Sequence, residues 1–105
     1  MNKEEICRLI DKFAIKSLIY EVSATPKPGL VDRKNSGAHT DMDFYTFIDS
    51  SVALTNYFYR CALIGTEFDK DDKRELLRDI RPLGIEAEKD MFIATKGVNT
   101  HKGLI

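Results

Sequence analysis

The residues best suited to chemistry are crowded into two polar stretches. The first runs from Glu21 to Asp43, EVSATPKPGLVDRKNSGAHTDMD, and holds two prolines, two glycines and a dense set of ionisable side chains. A link between helices in a compact domain usually needs only a few residues, so a loop this long and varied is a functional candidate. Pro26 and Pro28 stiffen the approach to Gly29, where the backbone can come close to a ligand, and Lys27 supplies a point charge for phosphate. Pro-Gly is equally an ordinary turn signal. Asp32, His39, Asp41 and Asp43 follow closely. Such carboxylates with a histidine can hold Mg²⁺ bridging to phosphates, because a hard ion prefers oxygen ligands. Asp41 and Asp43 also suit a helix N-terminus with no ion present.

The second stretch, TKGVNTHKG at 95–103, places Gly97, Asn99, Thr100, His101 and Lys102 together. Free N–H groups, a lysine and an imidazole at a predicted helix start make a natural anion site. The stretch is neither the P-loop pattern nor the Rossmann glycine fingerprint. Upstream of it, Glu86 and Asp90 share one helical face, with Glu88 turned away by about 200°. A like-charged pair at this spacing mildly destabilises a helix, so a cation is expected opposite, with Lys89 and Arg81 available locally. The two polar loops read as two walls of one anion-binding site.

Helices must position these loops. Residues 3–22 carry Ile6, Leu9, Ile10, Phe13, Leu18, Ile19 and Val22 at three- and four-residue steps, which predicts a first helix ending before Pro26. Thr40-Asp41-Met42-Asp43 resembles a capping box, with Asp in place of the preferred Glu or Gln. A second helix is predicted from there to about Ile64, stopped by Gly65 and apolar over most of its girth, hence central. Asp69 or Asp71 caps a third helix, which Pro82 is expected to break or kink; a helix restarts near Gly84 and stops by Gly97. No strand-like alternation of useful length appears. The class is all-α, a helical bundle of about three to four helices in one domain spanning 1–105, or the N-terminal part of a larger one. The last residues, Thr100 to Ile105, read as a helix just starting. A second subunit in a homo-oligomer, or further chain downstream, is therefore expected to cover the apolar surface of the second helix.

A net charge of −1 and the absence of basic blocks disfavour nucleic acid as a main partner. No apolar run is long enough to span a bilayer, and no signal peptide is visible. Cys7 and Cys61 read as buried free thiols, so a soluble cytoplasmic protein is expected.

Taken together, TPKPGLVDRKNSGAHTDMDF at 25–44, RPLGIEAEKDMF at 81–92 and GVNTHKG at 97–103 resemble the triphosphoribosyl-dephospho-coenzyme A synthases. The resemblance covers nearly all of this chain but only the N-terminal part of the family's usual length. It implies a transferase whose substrates are ATP and 3′-dephospho-coenzyme A. A ribose hydroxyl of the coenzyme displaces adenine from C1 of the ATP ribose. The product is the precursor of the prosthetic group on the citrate lyase acyl carrier protein, and related proteins serve malonate decarboxylase in the same way. Under that chemistry, Lys27, Gly29, Lys102 and the backbone of Gly97, Asn99 and Thr100 fall to the phosphates, and His101 either contacts phosphate or caps the next helix. Asp41, Asp43, Glu86 and Asp90 are candidates for Mg²⁺ or the ribose. Glu21, Asp32 and His39 are candidates for the general base or for orienting it. The alternative reading is a truncated, non-catalytic nucleotide-binding or assembly module of the same fold.

Overall fold

In the computed structural model, which describes residues 1–24, 30, 31, 33, 37 and 42–105, the apolar periodicity of the first segment closes into α1 (Lys3–Ser23). Asn2 starts it, its side-chain oxygen accepting from the Glu5 N–H at 2.8 Å, and Glu4 and Glu5 face the positive end of the helix dipole. Three further helices follow: α2 (Phe44–Ala53), α3 (Tyr57–Glu67) and α4 (Lys73–Ala94). Every regular element among the described residues is a helix. The α2–α3 pair forms the middle, with α1 on one side and α4 on the other.

The predicted second helix is in fact two. It starts at Phe44, with Asp43 as its cap: the Asp43 carboxylate accepts from the Thr46 N–H at 3.0 Å, and the Thr46 hydroxyl accepts from the Asp43 N–H at 3.2 Å. This reciprocal box holds the helix start one turn later than the box read from Thr40, which lies outside the described residues. The helix then breaks at Leu54–Asn56. Leu54 and Thr55 bond back three residues, and Asn56 takes a left-handed φ of 78°, a conformation asparagine tolerates better than most residues. Asn56 does not cap α3 with its own side chain. Asp11 of α1 does so instead. Its carboxylate accepts from the Asn56 N–H at 3.1 Å and from the Tyr59 N–H at 3.3 Å, and the side chain is buried.

Two further local expectations yield to packing. Gly65 does not stop α3, which runs on to Glu67 before Phe68 turns extended. Pro82 does not break α4, which passes through it without interruption. Pro82 removes one backbone donor, but Arg78 and Pro82 are both exposed, so water can serve the orphaned carbonyl. Meanwhile α4 packs against both α2 and α3. Its end is a Schellman turn: the Gly97 N–H reaches the Phe92 carbonyl at 2.8 Å and the Lys96 N–H reaches Ile93 at 3.4 Å. The left-handed position in it is Lys96, φ 57°, one residue before the glycine expected there.

The core centres on Leu54, Ala87 and Met91, with Ile15 and Leu18 of α1, Tyr57 and Phe58 of α3 and the terminal Ile105 packed around them. Each large side chain buried here is worth about 1.5–3 kcal/mol. The Tyr57 hydroxyl donates to the Ile105 carbonyl at 3.1 Å. Burial pushes its pKa up to about 12, so the phenol stays a donor. The outer face of α1 leaves Ile6, Ile10, Phe13 and Tyr20 exposed as a stripe.

Asp11→Ala should lower stability by about 1–3 kcal/mol, because two N–H groups lose their buried acceptor. An unchanged urea midpoint would dismiss the cap. Lys96→Gly should raise stability by about 1 kcal/mol, since glycine takes positive φ without strain; a lower midpoint would contradict the left-handed assignment.

Candidate functional site

The C-terminal end of α1, the middle of α2 and the turn after α4 come together at one end of the bundle. The turn is built locally. Thr95, buried, donates its hydroxyl to the Val98 carbonyl at 2.6 Å. The Asn99 side chain accepts from the Lys102 N–H at 3.2 Å, and the Leu104 and Ile105 N–H groups both reach the His101 carbonyl. A single hydrogen-bonded turn thus forms from His101 to Ile105, short of the helix the sequence predicts from Thr100. Its first N–H groups are partly used: the Lys102 N–H belongs to Asn99 rather than to an anion.

This turn presses His101 against α2. His101 Nδ1 lies 2.6 Å from Ser50 Oγ, and the Thr100 hydroxyl donates to the same Ser50 oxygen at 2.5 Å. The imidazole meets the Phe47 ring edge-on, with centroids 5.2 Å apart. Burial lowers the His101 pKa below the ordinary 6.5, while the nearby charge of Glu21 pulls the other way. Burial is the larger effect, so the neutral ring is favoured over the imidazolium more than in free histidine. Two predicted site residues, Thr100 and His101, therefore share Ser50, and the charge of Glu21, some eighty residues earlier, reaches the imidazole.

The remaining candidates are spread around this centre. Asp43 caps α2, and the Thr46 backbone and side-chain hydrogen bonds hold its pKa below the usual carboxylate value. Glu86 points to α3 and pairs with Arg60 at 2.9 Å, so the cation expected opposite the Glu86–Asp90 face comes from another helix rather than from Lys89 or Arg81. Glu86 and Asp90 line a cleft of about 570 Å³ together with Arg8, Asn56 and Tyr59. There the Arg8 guanidinium stacks 3.7 Å above the Tyr59 ring and bonds Asn56 at 2.7 Å. Glu88, on the other side of α4, pairs with the Lys102 ammonium at 3.3 Å. That pair is largely solvent-exposed and contributes little, which leaves the lysine available to a stronger anion. Gly97 is exposed, with φ 89°. Lys27, Gly29, Asp32, His39 and Asp41 lie outside the described residues. The segment that carries them leaves from α1 two residues past Val22 and returns at Asp43. Within it the Arg33 Nε–H donates to the Ser23 carbonyl at 2.6 Å.

No three acidic, histidine or cysteine side chains converge among the described residues. With Asp43 engaged as a cap and Glu86 paired to Arg60, those residues do not form a protein cage for Mg²⁺. Ser50 and Phe47, which hold His101, were not among the sequence candidates. The signal available was the Ser50–Ser51 pair inside an otherwise apolar helix; both serines are fully buried.

Comparison with known proteins adds the following. The family model CitG: ATP:dephospho-CoA triphosphoribosyl transferase matches residues 7–105. A probable 2-(5''-triphosphoribosyl)-3'-dephosphocoenzyme-A synthase of Streptococcus mutans is 48% identical over 104 residues, covering 99% of this chain and 35% of the relative. Proteins of the same description from Streptococcus pyogenes and Lactiplantibacillus plantarum are 52% identical over 95 residues and 47% identical over 98. Those matches cover 90% and 93% of this chain, and 32% and 35% of the relatives. The chain spans about a third of the length of the curated relatives it matches. No solved structure matches it.

The half-buried His101 predicts a pH effect with a definite sign. Its folded-state pKa lies below 6.5, so between that value and 6.5 the unfolded chain binds the extra proton. Stability should fall as the pH drops through 6.5 and level off below the folded-state value. His101→Asn should flatten this part of the profile in urea titrations between about pH 8 and about pH 5. Parallel profiles for the two proteins would rule the effect out.

Proposed function

The chain belongs to the ATP:dephospho-CoA triphosphoribosyl transferase family, and from that membership we propose that it takes part in transferring the 5-triphosphoribosyl group of ATP to 3′-dephospho-coenzyme A. A ribose hydroxyl oxygen of the coenzyme bonds to C1 of the ATP ribose, and the C1–N bond to adenine breaks. The bonding pair leaves with adenine, which takes up a proton as the hydroxyl loses one. The triphosphate is carried over intact, so the protein must hold it without activating it for attack. Departure of the base places positive charge on the ribose, which a nearby carboxylate stabilises.

The observation that carries this reading is the match over 7–105, and the packing of Thr100 and His101 of the third motif on Ser50, within the electrostatic reach of Glu21, supports it. Lys102, His101 and the turn at Gly97, Asn99 and Thr100 bind triphosphate oxygens, joined by Lys27 and Gly29 of the first loop. Glu21, Asp32 and His39 supply or orient the base that takes the hydroxyl proton. Mg²⁺ arrives chiefly on the triphosphate, where it neutralises charge, and Asp41, Asp43, Glu86 and Asp90 are the carboxylates available to it or to the ribose. The product serves the citrate lyase acyl carrier protein, and the site works in the cytoplasm. No described helix is long and apolar enough to cross a membrane, and the exposed stripe on α1 supports burial against further polypeptide, from a second copy or from the part equivalent to the rest of the relatives. The second reading is a module that binds nucleotide without turning it over.

The test is adenine release from ATP and 3′-dephospho-coenzyme A with Mg²⁺. Release that needs both substrates is expected, and Lys27→Ala, Asp41→Ala or Lys102→Ala should each cut it about tenfold or more with helicity unchanged. ATP binding without release would establish the second reading. Full turnover in all three variants would remove both loops from the site.

A further inference from the structure

Ser50 belongs to none of the motifs read from the sequence, yet it is the most constrained polar group near the site. It is fully buried within α2, and its oxygen lies between two hydrogen-bonding partners from the C-terminal turn. Thr100 donates to it, and among the hydrogen bonds of the described residues the acceptor left for the Ser50 hydrogen is His101 Nδ1. An imidazole nitrogen that accepts a hydrogen bond carries no hydrogen of its own, and in the neutral ring the hydrogen then sits on the other nitrogen. Phe47, edge-on to the ring, restricts its rotation. From α2, Ser50 and Phe47 lie against the imidazole. The charge acting on it is that of Glu21 from α1, and the neighbouring Lys102 is paired with Glu88 of α4.

We propose that Ser50 is a positioning residue, which holds His101 as the neutral tautomer with its hydrogen on Nε2 and so fixes it as an uncharged donor to a triphosphate oxygen of the nucleotide. This rests on the reading of His101 as a phosphate contact, and it adds which nitrogen acts and what sets it. Thr100 orients Ser50, Ser50 orients the ring, and the ring contributes a directional hydrogen bond without a second cation beside Lys102. A charged imidazolium needs both nitrogens as donors; the Ser50 oxygen can accept from Nδ1 as well as from Thr100, but the Ser50 hydrogen then loses its acceptor. The network therefore opposes protonation as well as selecting the tautomer.

The test is nitrogen-15 NMR of the histidine rings in this chain at about pH 7.5, where free histidine is mostly neutral. In the wild-type protein, His101 is expected as the single Nε2–H tautomer. Ser50→Ala should mix the two tautomers and weaken ATP binding about two- to tenfold. Ser50→Cys, which keeps the side-chain volume but donates weakly, should do the same in part with helix content unchanged. Wild-type His101 found as Nδ1–H, or a tautomer unmoved in both variants, would overturn the proposal, and the wild-type spectrum decides this even if Ser50→Ala fails to fold. Titration with ATP alone separates the two readings. If His101 keeps its tautomer but its ring signals ignore ATP, the phosphate contact fails while the serine lock stands.

Discussion

A buried carboxylate holds the bundle at its one sharp break. Between Ala53 and Tyr57 the chain leaves α2 and enters α3 through a left-handed asparagine. Any helix start leaves several N–H groups without partners, and here they face α1 rather than water. Asn56 would ordinarily cap them, but its side chain is taken by Arg8. Asp11 supplies the acceptor from another helix. One side chain thus settles the start of α3, the level at which α1 crosses it, and the direction in which α2 must leave. Leu54 can be fully buried against Ala87 and Met91 because the backbone turns at that point. A straight helix through this region would carry the second half of the segment away from α4, and Arg60 could not reach Glu86.

The site follows from the same geometry about one turn before the break, at Ser50. From the break, α2 extends alongside the second half of α1, which brings Ser50 towards the level of Glu21. The chain after α4 then folds back, held by the Schellman turn at Lys96 and by the Tyr57–Ile105 hydrogen bond. His101 is left between α2 and the turn. Two opposing effects act on its imidazole, and desolvation outweighs the charge of Glu21. A ring forced to stay neutral in a hydroxyl network is a fixed dipole rather than a mobile charge. Such preorganised dipoles are what transition states with developing charge require, because they need no rearrangement at the moment of reaction.

Much of this was legible from residue types, and the failures have a common cause. Helical periodicity located α1 and the helical character of the rest, since apolar spacing reports burial directly. The like-charged pair at Glu86 and Asp90 correctly called for a cation, but local spacing could not name Arg60, twenty-six residues away. Gly65 and Pro82 were read by local rules worth at most a few kcal/mol, which packing along α3 and α4 overrides. The break at 54–56 was invisible because its warrant, Asp11, sits forty-five residues upstream of Asn56. In the site, His101 and Thr100 stood out as types in a polar turn. Ser50 did not, because a serine in an apolar helix reads as a small residue that lets helices approach. A hydroxyl's role depends on what lies within hydrogen-bond reach, and sequence spacing carries no information about that across helices.

The distribution of charge bears on the chemistry the fold can support. The reaction proposed for the family breaks a carbon–nitrogen bond while leaving every phosphorus–oxygen bond untouched. Dense cationic charge around the triphosphate would stabilise phosphoryl transfer as well as binding, and so favour the wrong bond. The described residues avoid that arrangement. Of the two lysines in the C-terminal turn, Lys96 is exposed and Lys102 is paired with Glu88, while Arg8 and Arg60 are held in the separate cleft by Asn56 and Glu86. What surrounds the turn is a set of neutral donors, with a carboxylate, Glu21, near the imidazole. Neutral donors bind a phosphate chain without drawing electrons from its bridging oxygens, and a carboxylate favours positive charge on a ribose carbon. Neutral dipoles and one acid beside the lysines that bind the triphosphate serve glycosidic transfer and work against hydrolysis of the nucleotide.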